Sequence, residues 1–334
     1  MNLMAIQSDM NLVNPLFDPV PKSVPSRDGF GKGIVELGEK NSAIWVLTAD
    51  VSESTRTHWF AEKFPKRFVQ VGVAEQNLAG VAAGIAACGK TVFVSAYGVF
   101  SPGRNWDQIR VSVCYNDVPV KFHGSHTGLT VGPDGASHQA LEDIAITRVL
   151  PNMVVVAPAD AEEARKAVLA IAKLPGGAYL RTCREKIPVF TTESTPFEIG
   201  KANVYREGKD VAIFACGEEV YESLKAAEAL AKEGIDAAVI NCHTIKPIDG
   251  KAIEEWAGKT GLIVTVENHQ VTGGMGSAVA EVVSGLESPV QVIRHGIYDM
   301  FCESGEPLEL LKKYGLDAEG IAKVVKKVME KKKR

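Results

Sequence analysis

Short apolar runs alternate with helical stretches along most of the chain. A helical pattern over 29–40 leads into an apolar run at 43–49, and a second run at 68–73 precedes a helix over 75–88 that Gly89 can stop. Then come a run at 91–95, a helix over about 102–115, a strand at 118–122 and a glycine-rich loop over 124–135. A strand at 152–157, a helix over 160–173 and a strand at 178–181 complete a first α/β domain, residues 26–186. Residues 187–200 carry prolines and no period and read as a linker. A second α/β domain over 201–334 repeats the alternation, with apolar runs at 211–215, 237–241, 262–267 and 290–294. Its helices are expected over 218–233, from Gly276, over 306–314 and over 318–331. Residues 1–25, with Pro15, Pro19, Pro21 and Pro25, read as an extended arm. This alternation predicts an α/β fold of two doubly wound, mostly parallel sheets.

Composition narrows the class without naming it. The 334 residues are 46% apolar and 23% charged, which excludes disorder, coiled coil and collagen. Lys and Arg number 37 against 41 Asp and Glu, so nothing points to nucleic acid, and the basic stretch 326–334 reads as the end of a solvated helix. No run approaches the roughly 18 apolar residues of a membrane span. No secretory leader is visible. Six scattered cysteines form no CxxC pair; Cys88 and Cys216 sit in apolar runs and are expected buried and reduced, as in a cytoplasmic protein.

Ligands of such sheets sit in loops at the carboxyl ends of strands, and four places there carry candidate chemistry. The turn Thr48-Ala49-Asp50-Val51-Ser52-Glu53-Ser54 either caps the next helix or faces a ligand. Glu75 heads a helix so apolar that it reads as buried all round; the carboxylate either complements the helix dipole or, desolvated, shares a proton. Tyr97 and Phe100 either stack on a flat ring or merely pack. The loop over 122–139 holds His123, His126, His138 and Asp134. It lacks a helical metal-binding pair, and its glycines favour close approach of a hydroxyl- or phosphate-bearing ligand over a metal. Thr272-Gly273-Gly274-Met275-Gly276-Ser277 imitates a dinucleotide loop, but Val279 stands where the third glycine belongs, and a tight strand-to-helix turn fits better.

In combination and in this order, these motifs resemble the transketolase family. The resemblance rests on Ala49-Asp50 with Ser54, Val73-Ala74-Glu75-Gln76-Asn77, Gly132-Pro133-Asp134-Gly135-Ala136-Ser137-His138-Gln139, and Pro151-Asn152 with Pro158-Ala159-Asp160-Ala161. It covers nearly everything after residue 25, but only the back half of a full-length member: the pyrimidine-binding domain and the C-terminal domain. It implies thiamine diphosphate as cofactor, with Glu75 sharing a proton with the pyrimidine N1′ so that the ring's own nitrogen takes the thiazolium C2 proton. It places Tyr97 and Phe100 on the pyrimidine, and Asp50 and Val51 near the cofactor. Arg27, Ser54, His126 and Arg184 fall at the sugar-phosphate positions, chemistry suited to a dianion. Asp134 would read a substrate hydroxyl, and His138 would serve hydroxyls or proton transfer beside the carbonyl. Arg104 and Trp106 compete for a further contact to the cofactor.

Full-length members hold the diphosphate and Mg²⁺ through Gly-Asp-Gly and an Asn about thirty residues on, a pairing missing from this sequence. The resemblance therefore implies the second subunit of a split transketolase. A separate N-terminal subunit would bring the diphosphate site and the metal, in an α2β2 assembly, and this chain would be inactive alone and hold no metal itself. The implied reaction moves a two-carbon ketol unit from a ketose phosphate such as xylulose 5-phosphate to an aldose phosphate such as ribose 5-phosphate. The β subunit of a 2-oxoacid dehydrogenase first component, a 1-deoxyxylulose-phosphate synthase fragment and a non-catalytic regulatory partner with the same fold are the alternatives.

Overall fold

A computed structural model describes residues 6–332; positions 1–5 of the arm and 333–334 of the basic tail lie outside the described residues. The first half runs β1 (Ser23–Pro25), α1 (Ser26–Lys40), β2 (Ile44–Thr48), α2 (Ser52–Thr55), α3 (His58–Lys63), β3 (Phe68–Gln70), α4 (Glu75–Ala87), β4 (Thr91–Tyr97), α5 (Trp106–Gln108), β5 (Val120–Ser125), α6 (Asp143–Arg148), β6 (Met153–Val156), α7 (Ala161–Ile171), β7 (Gly177–Arg181) and β8 (Lys186–Pro188). The second runs β9 (Asn203–Arg206), β10 (Val211–Ala215), α8 (Glu219–Lys232), β11 (Ala237–Asn241), β12 (Thr244–Lys246), α9 (Gly250–Thr260), β13 (Leu262–Gln270), α10 (Met275–Ser284), β14 (Gln291–Ile297), α11 (Pro307–Lys313) and α12 (Ala318–Lys332).

The α/β architecture is as expected, with two mostly parallel sheets. Seven strands lie in the order β12-β6-β7-β5-β4-β2-β3, all parallel but for β12. Five lie in the order β14-β13-β10-β11-β9, parallel but for β9. The central strands β7, β10 and β11 are buried on both faces, as parallel strands covered by helices must be. The two halves interlock: β12, from beyond residue 240, closes the edge of the first sheet. One apolar cluster joins Ile144 and Met153 to Ile245, Trp256 and Met275. The described arm packs on its own chain, where Leu16 is buried and its carbonyl accepts from the Tyr221 hydroxyl at 3.0 Å.

Several local expectations are corrected. The helix expected over 102–115 is a series of turns, then short α5, then a wide π-helical turn, Ile109–Tyr115. Pro102 lacks a donor, and a Cβ on Gly103 would lie 2.1 Å from the Val99 carbonyl oxygen, so the chain there is folded tightly upon itself. Helix α4 is not buried all round: Leu78, Ala79, Ala82, Ala83 and Ala86 face the core, whereas Gln76, Asn77, Gly80, Gly84 and Ala87 are exposed. Cys88, at the end of that outer face, is exposed as well, while Cys216 is buried. Beyond Asn77 both faces of this helix are small and apolar, so composition there cannot say which one turns inward. Strands β1, β8, β9 and β12 lie outside the expected elements because three or four residues are too few positions to show a period; helix α9, eleven residues long, lies outside them as well.

Helices α1 and α7 pack through glycines. A Cβ on Gly29 would stand 1.9 Å from the Ala161 carbonyl oxygen, and one on Gly33 would stand 2.8 Å from Val168 Cβ. Because the obstacle at Gly29 is backbone, Gly29→Ala is expected to destabilise the chain by about 2 kcal/mol or more, read as a lowered thermal midpoint. An unchanged midpoint would show that α1 can slide without cost.

Candidate active site

The carboxyl ends of β2, β4, β5 and β7 converge on one edge of the seven-stranded sheet. Beyond β2, Asp50 adopts a left-handed backbone (φ 62°) and its N–H donates to Gln70 Oε1 at 2.6 Å. Its side chain is exposed, Val51 beside it is half-buried, and α2 then presents Ser54. Beyond β5, His126 is also left-handed (φ 60°), which turns its ring back over the strand ends. Asp134 rides on the loop that follows, whose turns at Gly132 and Gly135 have positive φ. A Cβ on Gly135 would meet Ser304 Oγ at 2.2 Å, so the C-terminal half buttresses this loop directly.

Arg27, Ser54, His126, Arg184 and Asp134 are brought together around a cavity of about 430 Å³, with Tyr97, Glu53 and Arg56 completing its wall. Arg27 Nη1 donates to the Ser54 carbonyl at 2.9 Å and to His126 Nε2 at 2.9 Å. A guanidinium can only donate, so Nε2 must be the acceptor and the proton sits on Nδ1, which faces Ser125 Oγ at 2.8 Å. Burial first, then the positive charges of Arg27, Arg184 and Arg56, push the His126 imidazole down to about 3, so it is neutral at physiological pH. Burial and the neighbouring Arg56 likewise lower Arg27 from its ordinary value, against the opposing pull of Asp28. Arg184 donates to the Val131 carbonyl at 3.1 Å and lies 3.4 Å from Asp134. Three guanidiniums converging on a concave, polar wall suit a phosphate-like anion.

Arg56 is the residue that sequence reasoning missed. Left-handed at φ 66°, it is held by Asp28 at 2.7 Å through Nε and by the Glu53 carbonyl at 2.9 Å through Nη1. The available signal was its place two residues after Ser54, but only the αL turn ending α2 directs it into the cavity.

Around Glu75 a second group forms. The residue is 2% exposed at the start of α4, and its Oε2 accepts from Arg104 Nη1 at 2.7 Å. Tyr97 and Phe100 stack at 6.4 Å between centroids with 23° between planes, and His138 stands edge-on to Phe100 at 5.3 Å. Tyr97 also lies 4.1 Å from the His126 ring, bridging the two groups. Trp106 is tied to α6 through the Ile146 carbonyl at 2.6 Å, so of the competing pair it is Arg104 that reaches Glu75. A buried carboxylate beside aromatic faces fits a flat heterocycle with a ring nitrogen.

The histidines of the loop do not share one centre. His123 lies within β5, stacked on Phe30 at 3.6 Å, whereas His126 and His138 have the separate partners given above or Ser137 Oγ. Among the described residues no group of three His, Cys, Asp or Glu is arranged to hold a metal. At the imitation dinucleotide turn, the buried Glu267 carboxylate accepts from the N–H groups of Met275 (2.6 Å) and Gly276 (2.9 Å). The helix end is thus filled by the protein's own anion. A Cβ on Gly274 would strike Glu267 Oε2 at 2.1 Å, which is why glycine stands there.

Comparison with known proteins gives the family. Residues 22–189 match the transketolase pyrimidine binding domain and 200–321 the transketolase C-terminal domain. The chain belongs to the transketolase family. Within it, the chain aligns with several relatives over nearly their whole length. It is 46% identical to a transketolase C-terminal section of Methanocaldococcus jannaschii, covering 91% of this chain and 96% of that one. It is 40% identical to a 6-deoxy-6-sulfo-D-fructose transketolase subunit of Clostridium sp. (92% and 95% covered) and 37% identical to an apulose-4-phosphate transketolase subunit of Phocaeicola vulgatus (92% and 98%). A solved split-gene transketolase, an inactive β4 tetramer, superimposes with TM-score 0.86 at 46% identity over 92% of this chain and 99% of that one.

Eight residues of this chain wall the cavity, so its anion binding can be tested on the chain alone. Arg56→Met and Arg27→Met should each weaken inorganic sulfate binding about tenfold or more in calorimetry, the loss of one charge-assisted contact. Because the folded His126 stays neutral until near pH 3, inorganic sulfate affinity should be flat from about pH 5 to 8. A binding step near 6.5 that His126→Gln removes would contradict the neutral imidazole.

Proposed function

We propose that this chain is the C-terminal subunit of a two-chain transketolase, transferring a two-carbon ketol unit between sugar phosphates once joined to a diphosphate-binding subunit. The observation that carries the reading is that Glu75, with its aromatic neighbours, and a three-arginine anion pocket share one sheet edge within a single chain. Bound thiamine diphosphate would supply the carbanion chemistry. Glu75 shares a proton with the pyrimidine N1′, while Tyr97 and Phe100 hold the ring and Asp50 and Val51 flank it. The pocket of Arg27, Ser54, His126 and Arg184 grips the phosphate end, which sets how far the reacting carbons lie from the cofactor. Asp134 and His138, on the loop between the two groups, read hydroxyls, and His138 moves a proton beside the carbonyl.

The relatives act on a sulfosugar and on apulose 4-phosphate, so the anionic end, and not one sugar, is common to them. Three guanidiniums favour the doubly charged phosphate, and we take xylulose 5-phosphate and ribose 5-phosphate as donor and acceptor. The residues divide as 26–186 for the pyrimidine domain and 201–334 for the C-terminal domain. The partner supplies the diphosphate and Mg²⁺ ligands, and two copies of each chain form the assembly. The outer face of α4 supports this reading: Gly80 and Gly84 are exposed there, a Cβ on either would meet nothing within 4 Å, and the neighbouring π-helical turn exposes Val111 and Tyr115. Such an apolar patch suits burial against another chain.

The test is to purify the tagged chain gently from its native host. A stoichiometric partner carrying Gly-Asp-Gly and the spaced Asn is expected, and the complex should convert xylulose 5-phosphate with ribose 5-phosphate. Glu75→Ala should lower that rate by about a hundredfold or more while leaving assembly intact. Recovery of a homo-oligomer without such a partner would sink the split-enzyme reading.

A further inference from the structure

Arg104 has no part in the reading above, yet it makes the one side-chain hydrogen bond that the Glu75 carboxylate has among the described residues. Its Nη1 meets Oε2 at 2.7 Å; Oε1 accepts none. The guanidinium lies over the Phe100 ring, 4.7 Å from its centroid, the same ring that is assigned to the cofactor. The segment bearing it is tied down beside α4. Asn105 Nδ2 donates to the Glu75 carbonyl oxygen at 3.1 Å and to Ser101 Oγ at 3.1 Å, and the Arg104 N–H donates to the Phe100 carbonyl at 2.8 Å. Glu75 is 3% exposed as a side chain, whereas Arg104 remains 48% exposed. A buried carboxylate is costly without a partner. An arginine that stacks on one face while donating from its edge fixes the carboxylate's plane as well as its charge.

We propose that Arg104 is the positioning residue of Glu75: it holds Oε2, so that the remaining oxygen is the one presented to the pyrimidine N1′. The inference rests on the cofactor reading above. Removing the guanidinium leaves the carboxylate buried without a counter-charge and free to rotate. Both changes impair a group whose task is to share a proton along one fixed line. The sugar-phosphate pocket, which does not involve Arg104, is untouched.

The test uses the complex with its co-purified partner, saturated with thiamine diphosphate, and follows exchange of the thiazolium C2 hydrogen in D₂O by acid quench and proton NMR. Arg104→Met is expected to slow exchange about tenfold or more, as loss of a supporting hydrogen bond does at other sites. Arg104→Lys should restore part of the rate, and ribose 5-phosphate affinity should stay at the wild-type value in both. Exchange within twofold of wild type in Arg104→Met overturns the proposal, as does an equal loss of ribose 5-phosphate binding, which would mark a general structural role. Should Arg104→Met fail to assemble, Arg104→Gln decides on the same readout: wild-type exchange overturns the proposal and slowed exchange supports it. A wild-type exchange rate in Glu75→Gln would instead overturn the cofactor reading itself.

Discussion

Beneath the site, a buried line of side-chain hydrogen bonds crosses four parallel strands. Thr48 Oγ1 donates to the Ser95 carbonyl at 3.0 Å, Ser95 Oγ meets His123 Nδ1 at 2.7 Å, and His123 Nε2 meets Thr182 Oγ1 at 2.7 Å. These contacts accompany the register that aligns Thr48 with Ser95, Ser95 with His123, and His123 with Leu180. A one-residue slip in any pair would leave these polar groups buried without partners and turn every neighbouring side chain to the other face. Burial holds His123 well below its ordinary value, so it joins the line as a neutral ring with one donor and one acceptor nitrogen. The strand ends that carry Asp50, Tyr97, His126 and Arg184 are therefore set at fixed heights above a rigid floor.

On that floor the site has two electrostatic characters side by side. One is a pocket of positive charge, where burial and the charges of Arg56 and Arg184 lower Arg27, and burial with all three arginines keeps His126 neutral. The other is a single buried carboxylate with one guanidinium beside it. Tyr97 separates them, in contact with His126 on one side and Phe100 on the other. The C-terminal half stabilises this arrangement from below. Asn268 Oδ1 accepts from the Leu129 N–H at 2.9 Å, and the buried Arg181–Asp143 pair reaches across to the Asn268 carbonyl at 3.1 Å. The loop bearing Asp134 and His138 is thus shaped by both halves of the chain.

Much of this was legible in the residues. Alternating apolar runs and helices revealed both sheets, since buried parallel strands must be short and continuous in hydrophobicity. Glu75 stood out as an acid opening an apolar helix, and the glycines of the loop over 122–139 announced a closely approached surface. The small-residue helix misled, because alanine and glycine satisfy a core face and an exposed face equally well. Short β12 gave no signal, as its place depends on an edge left open by β6, far away in sequence.

The sequence by itself determined the order and type of the long elements and the identity of the residues able to do chemistry, because periodicity and residue type are local properties. Only the tertiary structure decided which of these residues meet. Arg56 enters the anion pocket through a left-handed turn, and Arg104, not Trp106, reaches Glu75 because a tight loop folds back onto the first turn of α4. Those pairings depend on backbone direction at single residues and on strand register, which no local pattern of hydrophobic and polar positions encodes.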